Sequence, residues 1–226
     1  MASINGKTPV SAPKAYVKEL FDNYASKFEY SLVENLQYNV PNELTQMIMT
    51  KQSVGSLGSV LDLGCGTGLA GVELKPFCCH LEGIDLSHSM IKQAQKKNIY
   101  DQLIQGDIVD CLSTEELDFD YFLATDVFIY VGDLSDVFRL IKSRNKRSGT
   151  LAFSTEHNAR EDIFLETSGR YSHSKKYIQN LYEKFGYKLF HFAKADLRKE
   201  KGAFLTGGLY LLDFDPRQHS LTNRFH

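Results

Sequence analysis

The chain lacks an excess of basic residues: 26 Lys and Arg stand against 28 Asp and Glu, a formal net charge of -2 over 226 residues. A surface that coats nucleic acid is strongly basic, so that class is disfavoured. Cysteine is sparse. Cys65, Cys78, Cys79 and Cys111 form no C-x-x-C pair, and the adjacent Cys78-Cys79 suits neither zinc nor an ordinary disulfide. No metal is expected, Cys78 and Cys79 are expected to fill core beside a strand start, and a reducing, cytoplasmic location is the default. The N-terminus has no apolar h-region, and no run approaches the ~18 apolar residues of a membrane span. Neither the dinucleotide fingerprint G-x-G-x-x-G nor the phosphate loop G-x-x-x-x-G-K-[ST] occurs.

What is present is enough apolar material for a sizeable core: 42% hydrophobic residues beside 24% charged ones. Residues 1–13 are small and polar and are expected to form a mobile tail. Tyr16, Leu20, Tyr24 and Phe28 then recur every four residues, which predicts helix, and "NELTQMIMTK" predicts a further short helix after Pro41. "QSVGSLGS" has the composition of a linker. A helical cap is therefore expected over 14–54 and a second unit over 55–226.

From residue 59 short apolar runs alternate with amphipathic helices. Strands are predicted at 59–64, 80–87, 101–107, 119–128 and 149–156, with helices between several of them. Ser87 is placed to cap "HSMIKQAQKK", and Gly186 to end "SKKYIQNLYEKFG". Such alternation predicts a mostly parallel sheet with helices on both faces. The last two long strands have no helix between them and predict an antiparallel hairpin at the edge.

The densest signal is "VLDLGCGTG", residues 60–68. A strand that runs into Gly64, Gly66 and Gly68 and then into a helix builds a tight turn at which a ligand meets backbone, beside the positive end of the helix. Asp62 precedes the turn, and a carboxylate there suits a ligand carrying positive charge better than a pyrophosphate.

"VLDLGCGTG" resembles the first motif of the class I S-adenosylmethionine-dependent methyltransferases. The resemblance continues in register through "GIDLSHSMI", "QGDI" and "FDYFLATDVFIYV", and covers residues 55–214 or so. It implies a Rossmann-like, seven-stranded, mostly parallel sheet that binds S-adenosylmethionine and releases S-adenosylhomocysteine. It further implies that Asp85, with Leu86 beside it, holds the ribose hydroxyls. Asp107 would contact the adenine amino group, Ile108 would lie against the ring, and Thr125 and Asp126 would line the methionine end. "FDNYASKFE" is similar to a helix of the form F-x-x-x-A-x-x-Y-D that folds over the cofactor, with Phe28 in place of the usual Tyr; Tyr24 or Tyr30 can supply the missing hydroxyl. Together with "SGRYSHS" these segments look most like a group of bacterial predicted methyltransferases often labelled with TPR repeats, although no such repeat is present here. More distantly the chain is similar to small-molecule O-methyltransferases of biotin and quinone synthesis. "TDVF" replaces N-P-P-[YF] after the fourth strand, which argues against methylation of nucleic-acid bases.

The acceptor pocket is expected from segments outside the sheet. Tyr24 is one candidate. In "SGRYSHSKKY", Arg170 is a candidate clamp for a carboxylate or phosphate and His173 a candidate base; Glu156 and His157, at the end of the fifth strand, are weaker candidates. The expected activity is methyl transfer to a small molecule, such as an acid or phenol, by a monomer or homodimer away from membranes. A non-catalytic cofactor-binding regulator or scaffold is the alternative. An NAD-dependent oxidoreductase is a third, disfavoured by the glycine spacing.

Overall fold

Sheet order is set by runs that are apolar on both faces. In β1 (Ser59–Leu63), Val60, Leu61, Asp62 and Leu63 are all buried, as a central parallel strand requires. The computed structural model describes residues 11–51, 56–160, 162–200 and 202–218. The expected linker falls partly on residues 52–55, outside them, as does most of the expected tail.

Beside β1 stand β2 (His80–Asp85), β3 (Gln102–Gln105), β4 (Tyr121–Ala124), β5 (Gly149–Glu156), β8 (Lys188–Glu200) and β9 (Ala203–Phe214), in the order β3-β2-β1-β4-β5-β9-β8. All pairings among the first five are parallel. β9 pairs antiparallel with both β5 and β8, so the closing hairpin is at the edge, as expected, with β8 outermost.

Two apolar clusters sandwich this sheet. On one face, Leu151, Phe153 and Phe122 pack under α5 (Ile108–Thr114), α6 (Ser135–Arg144) and α7 (Lys175–Phe185). On the other, Val60, Leu81 and Leu211 pack under α2 (Val40–Lys51) and α3 (Leu69–Leu74). Side-chain burial on this scale, about 1.5–3 kcal/mol per large apolar residue, is what holds the helices to the sheet.

Local signals end the helices where the sequence predicts. The Ser87 hydroxyl accepts from the Met90 N–H (3.1 Å) at the start of α4 (His88–Lys97). Ser174 caps α7 through the Tyr177 N–H (3.0 Å), and Gly186 ends it in the left-handed region. Three differences have physical causes. First, the long N-terminal helical pattern divides into α1 (Lys14–Tyr24) and a π-helical turn (Tyr30–Asn35); Pro41 sits in the first turn of α2, where a missing N–H is tolerated. Second, the fourth strand ends at Ala124, because Asp126 adopts φ +57° and turns the chain into a 3-10 turn at Phe128–Tyr130. Third, a two-stranded ribbon, β6 (Ile163–Leu165) and β7 (Tyr171–His173), forms between β5 and α7, where no strand is predicted. Cys79 is exposed and Cys78 only half-buried, so this pair does not fill core.

The expected tail is tied down from Ser11 onward. Ser11 pairs with Val131, and the Ala12 N–H donates to the Tyr130 carbonyl (3.2 Å). Among the described residues no helix is long and apolar enough to cross a membrane.

Candidate functional site

Strand order reverses between β1 and β4, and at that switch point the carboxyl ends of the strands open a crevice. A cavity of about 560 Å³ occupies it, within the range of small-molecule sites. Its floor is the turn after β1. Gly64 has φ +68°, and a Cβ there would come 2.4 Å from Val127 Cγ2. Gly66 has φ +55°, and a Cβ there would meet nothing closer than Phe28 at 3.8 Å, so its backbone faces open space. The Gly66 N–H donates to Asp85 Oδ2 (2.9 Å) and the Ser87 N–H to Asp85 Oδ1 (2.8 Å). Asp85 thus ties the end of β2 to the glycine turn while lining the cavity, with Leu86 beside it. Burial pushes its carboxyl up to about 6, against these two N–H donors.

Farther along the wall, Asp107 caps α5. Its Oδ1 accepts from the Val109 and Asp110 N–H groups (3.0 and 3.1 Å) and pairs with Lys14 Nζ (3.1 Å). Ile108 lines the same stretch, and Thr125 and Asp126 form the exit of β4. Of the ten residues expected at the cofactor, the structure brings together Gly64, Gly66, Asp85, Leu86, Asp107, Ile108, Thr125 and Asp126.

Asp62 and Gly68 lie off the wall. Strand alternation turns Asp62 toward the face covered by α2 and α3. There the Tyr100 hydroxyl enters over Gly83, the cross-strand partner of Asp62, and donates to Asp62 Oδ2 (2.7 Å). Oδ1 is buried without a partner among the described residues, and burial pushes the carboxyl up to about 7. A Cβ at Gly68 would come 3.1 Å from Tyr100 Cε2, so this glycine faces the same ring.

The roof is α1, which has no fully buried residue. It is anchored by polar contacts: Asp22 Oδ1 accepts from the Ser87 hydroxyl (2.6 Å) and the Ser89 N–H (3.0 Å) at the start of α4. From this roof Phe21 and Tyr24 line the cavity with Phe28. Phe21 stands edge-on to Tyr130 at 5.2 Å, and Tyr24 edge-on to Phe28 at 5.9 Å. Tyr30 is 70% exposed and takes no part.

The candidate base His173 is corrected. It is fully buried and off the wall, stacked on Tyr177, and its Nε2 bonds the Gly132 carbonyl (2.8 Å). Burial pushes it down to about 4, so it is neutral and structural. His157 is likewise held against Phe192 and the Tyr210 hydroxyl (2.9 Å), away from the cavity.

Arg170 does reach the wall, but its guanidinium is already engaged: Nε donates to Glu156 Oε1 (3.0 Å) and Nη2 to Glu200. A second arginine was not anticipated from sequence. Arg198, 4% exposed on β8, donates to both Asp126 and Glu156 and also lines the cavity. Burial lifts Asp126 and Glu156 above the ordinary carboxylate range, with the arginines pulling against it. An Arg in an edge strand already rich in charged residues carries no sequence mark of its own; the register shifts between Asp196 and Arg198, where the strand turns it inward.

The sheet side of this site lies within a segment that matches a known family. A model of the methyltransferase domain matches residues 55–201. The chain is 28% identical over 156 residues to a malonyl-[acyl-carrier protein] O-methyltransferase of Bacillus anthracis, covering 67% of this chain and 56% of that protein. It is 29% identical to the mitochondrial ubiquinone biosynthesis O-methyltransferase of Saccharomyces cerevisiae, covering 52% and 39%. The chain thus spans about half the length, or less, of these relatives. Magnesium protoporphyrin IX methyltransferase from Synechocystis PCC 6803, solved with bound SAH, superposes with a TM-score of 0.67 at 15% identity, over 88% of this chain and 98% of that one; at that identity the likeness concerns the fold. With the motif-bearing strands, the glycine turn and the sheet side of the crevice inside the matched segment, the chain belongs to the methyltransferase-domain family.

Proposed function

We propose that this chain is an S-adenosylmethionine-dependent methyltransferase acting on a small molecule. The observation that carries the proposal is the glycine turn at the switch point: open backbone at Gly66 sits beside a cavity-lining carboxylate, Asp85, on the neighbouring strand. These residues fit an adenosyl sulfonium. In this reading Asp85 accepts from the ribose hydroxyls and Asp107 from the amino group, with Ile108 against the ring and Thr125 and Asp126 at the amino-acid end; that all five line one cavity supports it. When bound, the cofactor supplies a methyl group already activated by its sulfonium charge.

The protein's part is to bind, align and exclude water. The α1 roof and the aromatic residues Phe21, Tyr24 and Phe28 line the cavity above the glycine turn, where they leave less room for water at the reacting end. Room and polar groups at that end, with Arg170, Arg198 and Asp126 on the wall, favour an enzyme over a non-catalytic scaffold, for which a closed or wholly apolar cavity is expected.

Calorimetric titration tests the proposal. S-adenosylhomocysteine is expected to bind and NAD not to bind. Asp85→Ala is expected to weaken S-adenosylhomocysteine by roughly 1–3 kcal/mol, the cost of unmaking charge-assisted hydrogen bonds. Unchanged affinity in that variant removes the ribose assignment; no binding to the native protein removes the proposal.

A further inference from the structure

The deep end of the cavity holds a charge cluster whose balance bears on what can enter. Arg198 spends its guanidinium on Asp126 and Glu156, and Arg170 on Glu156 and Glu200. Among the described residues two guanidinium groups face three carboxylates, so the fully ionised cluster they form carries one negative charge. Neither arginine offers an uncompensated positive charge to a guest. An anion here must either displace a carboxylate from its guanidinium, leaving that carboxylate buried and unpaired, or lie beside an excess of negative charge where water screens little.

A second observation points the same way. Asp126 Oδ1 is buried and has no hydrogen-bond partner among the described residues, while Oδ2 is held by Arg198. Buried carboxylate oxygens in native structures normally find a donor. The residue is held in an unusual backbone state, φ +57°, with its N–H donating to the Ser154 hydroxyl (2.9 Å). The chain at the end of β4 is therefore kept in one conformation, with Asp126 on the cavity wall and one of its carboxylate oxygens given no donor by the described residues. The facing wall is aromatic, from Phe21, Tyr24, Phe28 and Tyr130.

Resting on the methyltransferase reading above, we infer that the acceptor is not an anion: it is a hydroxyl or amine on an apolar body, whose O–H or N–H donates to Asp126, and Asp126 with its partner Arg198 sets that specificity. Arg170 and Arg198 serve as internal counter-ions to the carboxylates, and an acid acceptor is excluded by the same balance.

Three probes sharing one ring test this. Benzylamine, benzyl alcohol and benzoate are titrated by ligand-observed NMR into the native protein at low salt, with and without saturating S-adenosylhomocysteine. Benzylamine or benzyl alcohol is expected to bind at least about 10-fold more tightly than benzoate. Asp126→Asn keeps the size of the side chain and a residue type that tolerates positive φ; it is expected to shrink that gap several-fold. Benzoate binding equal to or tighter than the others, no binding of any probe, or a gap that persists in a folded Asp126→Asn overturns the inference. If S-adenosylhomocysteine fails to bind while the probe order holds, the methyltransferase reading fails and the selectivity stands. If it binds and the order reverses, only the selectivity fails.

Discussion

Arg198 and Asp126 are 72 positions apart in the chain and are joined by a direct ion pair that reaches from the edge hairpin to the end of the fourth strand. The pair is nearly dry: the Arg198 side chain is 5% exposed and that of Asp126 15%. Replacing such a pair with well-packed apolar residues is often neutral. Removing one partner is not, because the other charge stays buried. Arg198→Met is therefore expected to cost about 3–5 kcal/mol in urea unfolding at neutral pH, with Arg198→Lys intermediate, since an ammonium cannot bond Asp126 and Glu156 together through a planar fork. A loss below about 1 kcal/mol for Arg198→Met would mean that water already solvates the cluster.

The glycine turn makes a sharper local prediction. At Gly64 any Cβ meets two objections at once: a positive φ and the Val127 side chain at 2.4 Å. Gly64→Ala is expected to destabilise the fold by about 1–3 kcal/mol. The double variant Gly64→Ala with Val127→Ala should recover only the steric part. Full recovery in the double variant would show that the backbone conformation costs nothing there.

Much of this was readable before the structure, for a stated reason. The turn at Gly64–Gly68, the Ser87 and Gly186 helix ends and the switch from helical to strand period are local, and local rules govern them. The placement of Asp85 and Asp107 followed from motifs whose spacing is tied to the same local turns. What sequence could not supply was facing. Asp62 was expected to meet a ligand, yet Gly83 and Gly71 make room for Tyr100, which claims it from the other side of the sheet. His173 was expected to act as a base, yet a three-residue ribbon buries it. Arg198 was passed over because an irregular register across eleven paired positions, not any feature of its neighbours, decides that it points inward. Each of these depends on contacts between segments far apart in the chain.

The roof over the cavity should be the least stable part of the site. With no fully buried residue in α1, its attachment rests on Asp22 at the start of α4, on the Lys14 pairs with Asp107 and Asp110, and on partly buried aromatic residues. The Ser87 hydroxyl and Ser89 N–H hold the Asp22 carboxyl below its ordinary value, consistent with an anion at a helix N-terminus. Asp22→Ala is expected to raise amide hydrogen exchange across residues 14–24 while leaving β1, β4 and β5 protected. Equal exchange in native and variant proteins would show that the aromatic contacts alone hold the roof.

Acid should weaken the fold through His173, and the sign can be worked out. Burial drops this imidazole to about 4, below the ordinary value of 6.5, so the unfolded chain binds the proton more readily than the folded one. The stabilisation is complete above pH 6.5 and is lost as the pH falls toward 4, by about 3 kcal/mol in all. Asp62 opposes it: a carboxyl raised to about 7 favours the folded state increasingly as the pH falls from 7 toward 4. The two trends overlap in the native protein, so its total stability is a poor guide. His173→Gln separates them, because Asp62 is common to both proteins and glutamine can still donate to the Gly132 carbonyl. The stability difference between native protein and His173→Gln, from urea unfolding at pH 7.5, 6, 5 and 4.5, is expected to shift steadily in favour of the variant as the pH drops. A difference that stays constant over that range would show that the imidazole is protonated as easily in the fold as outside it.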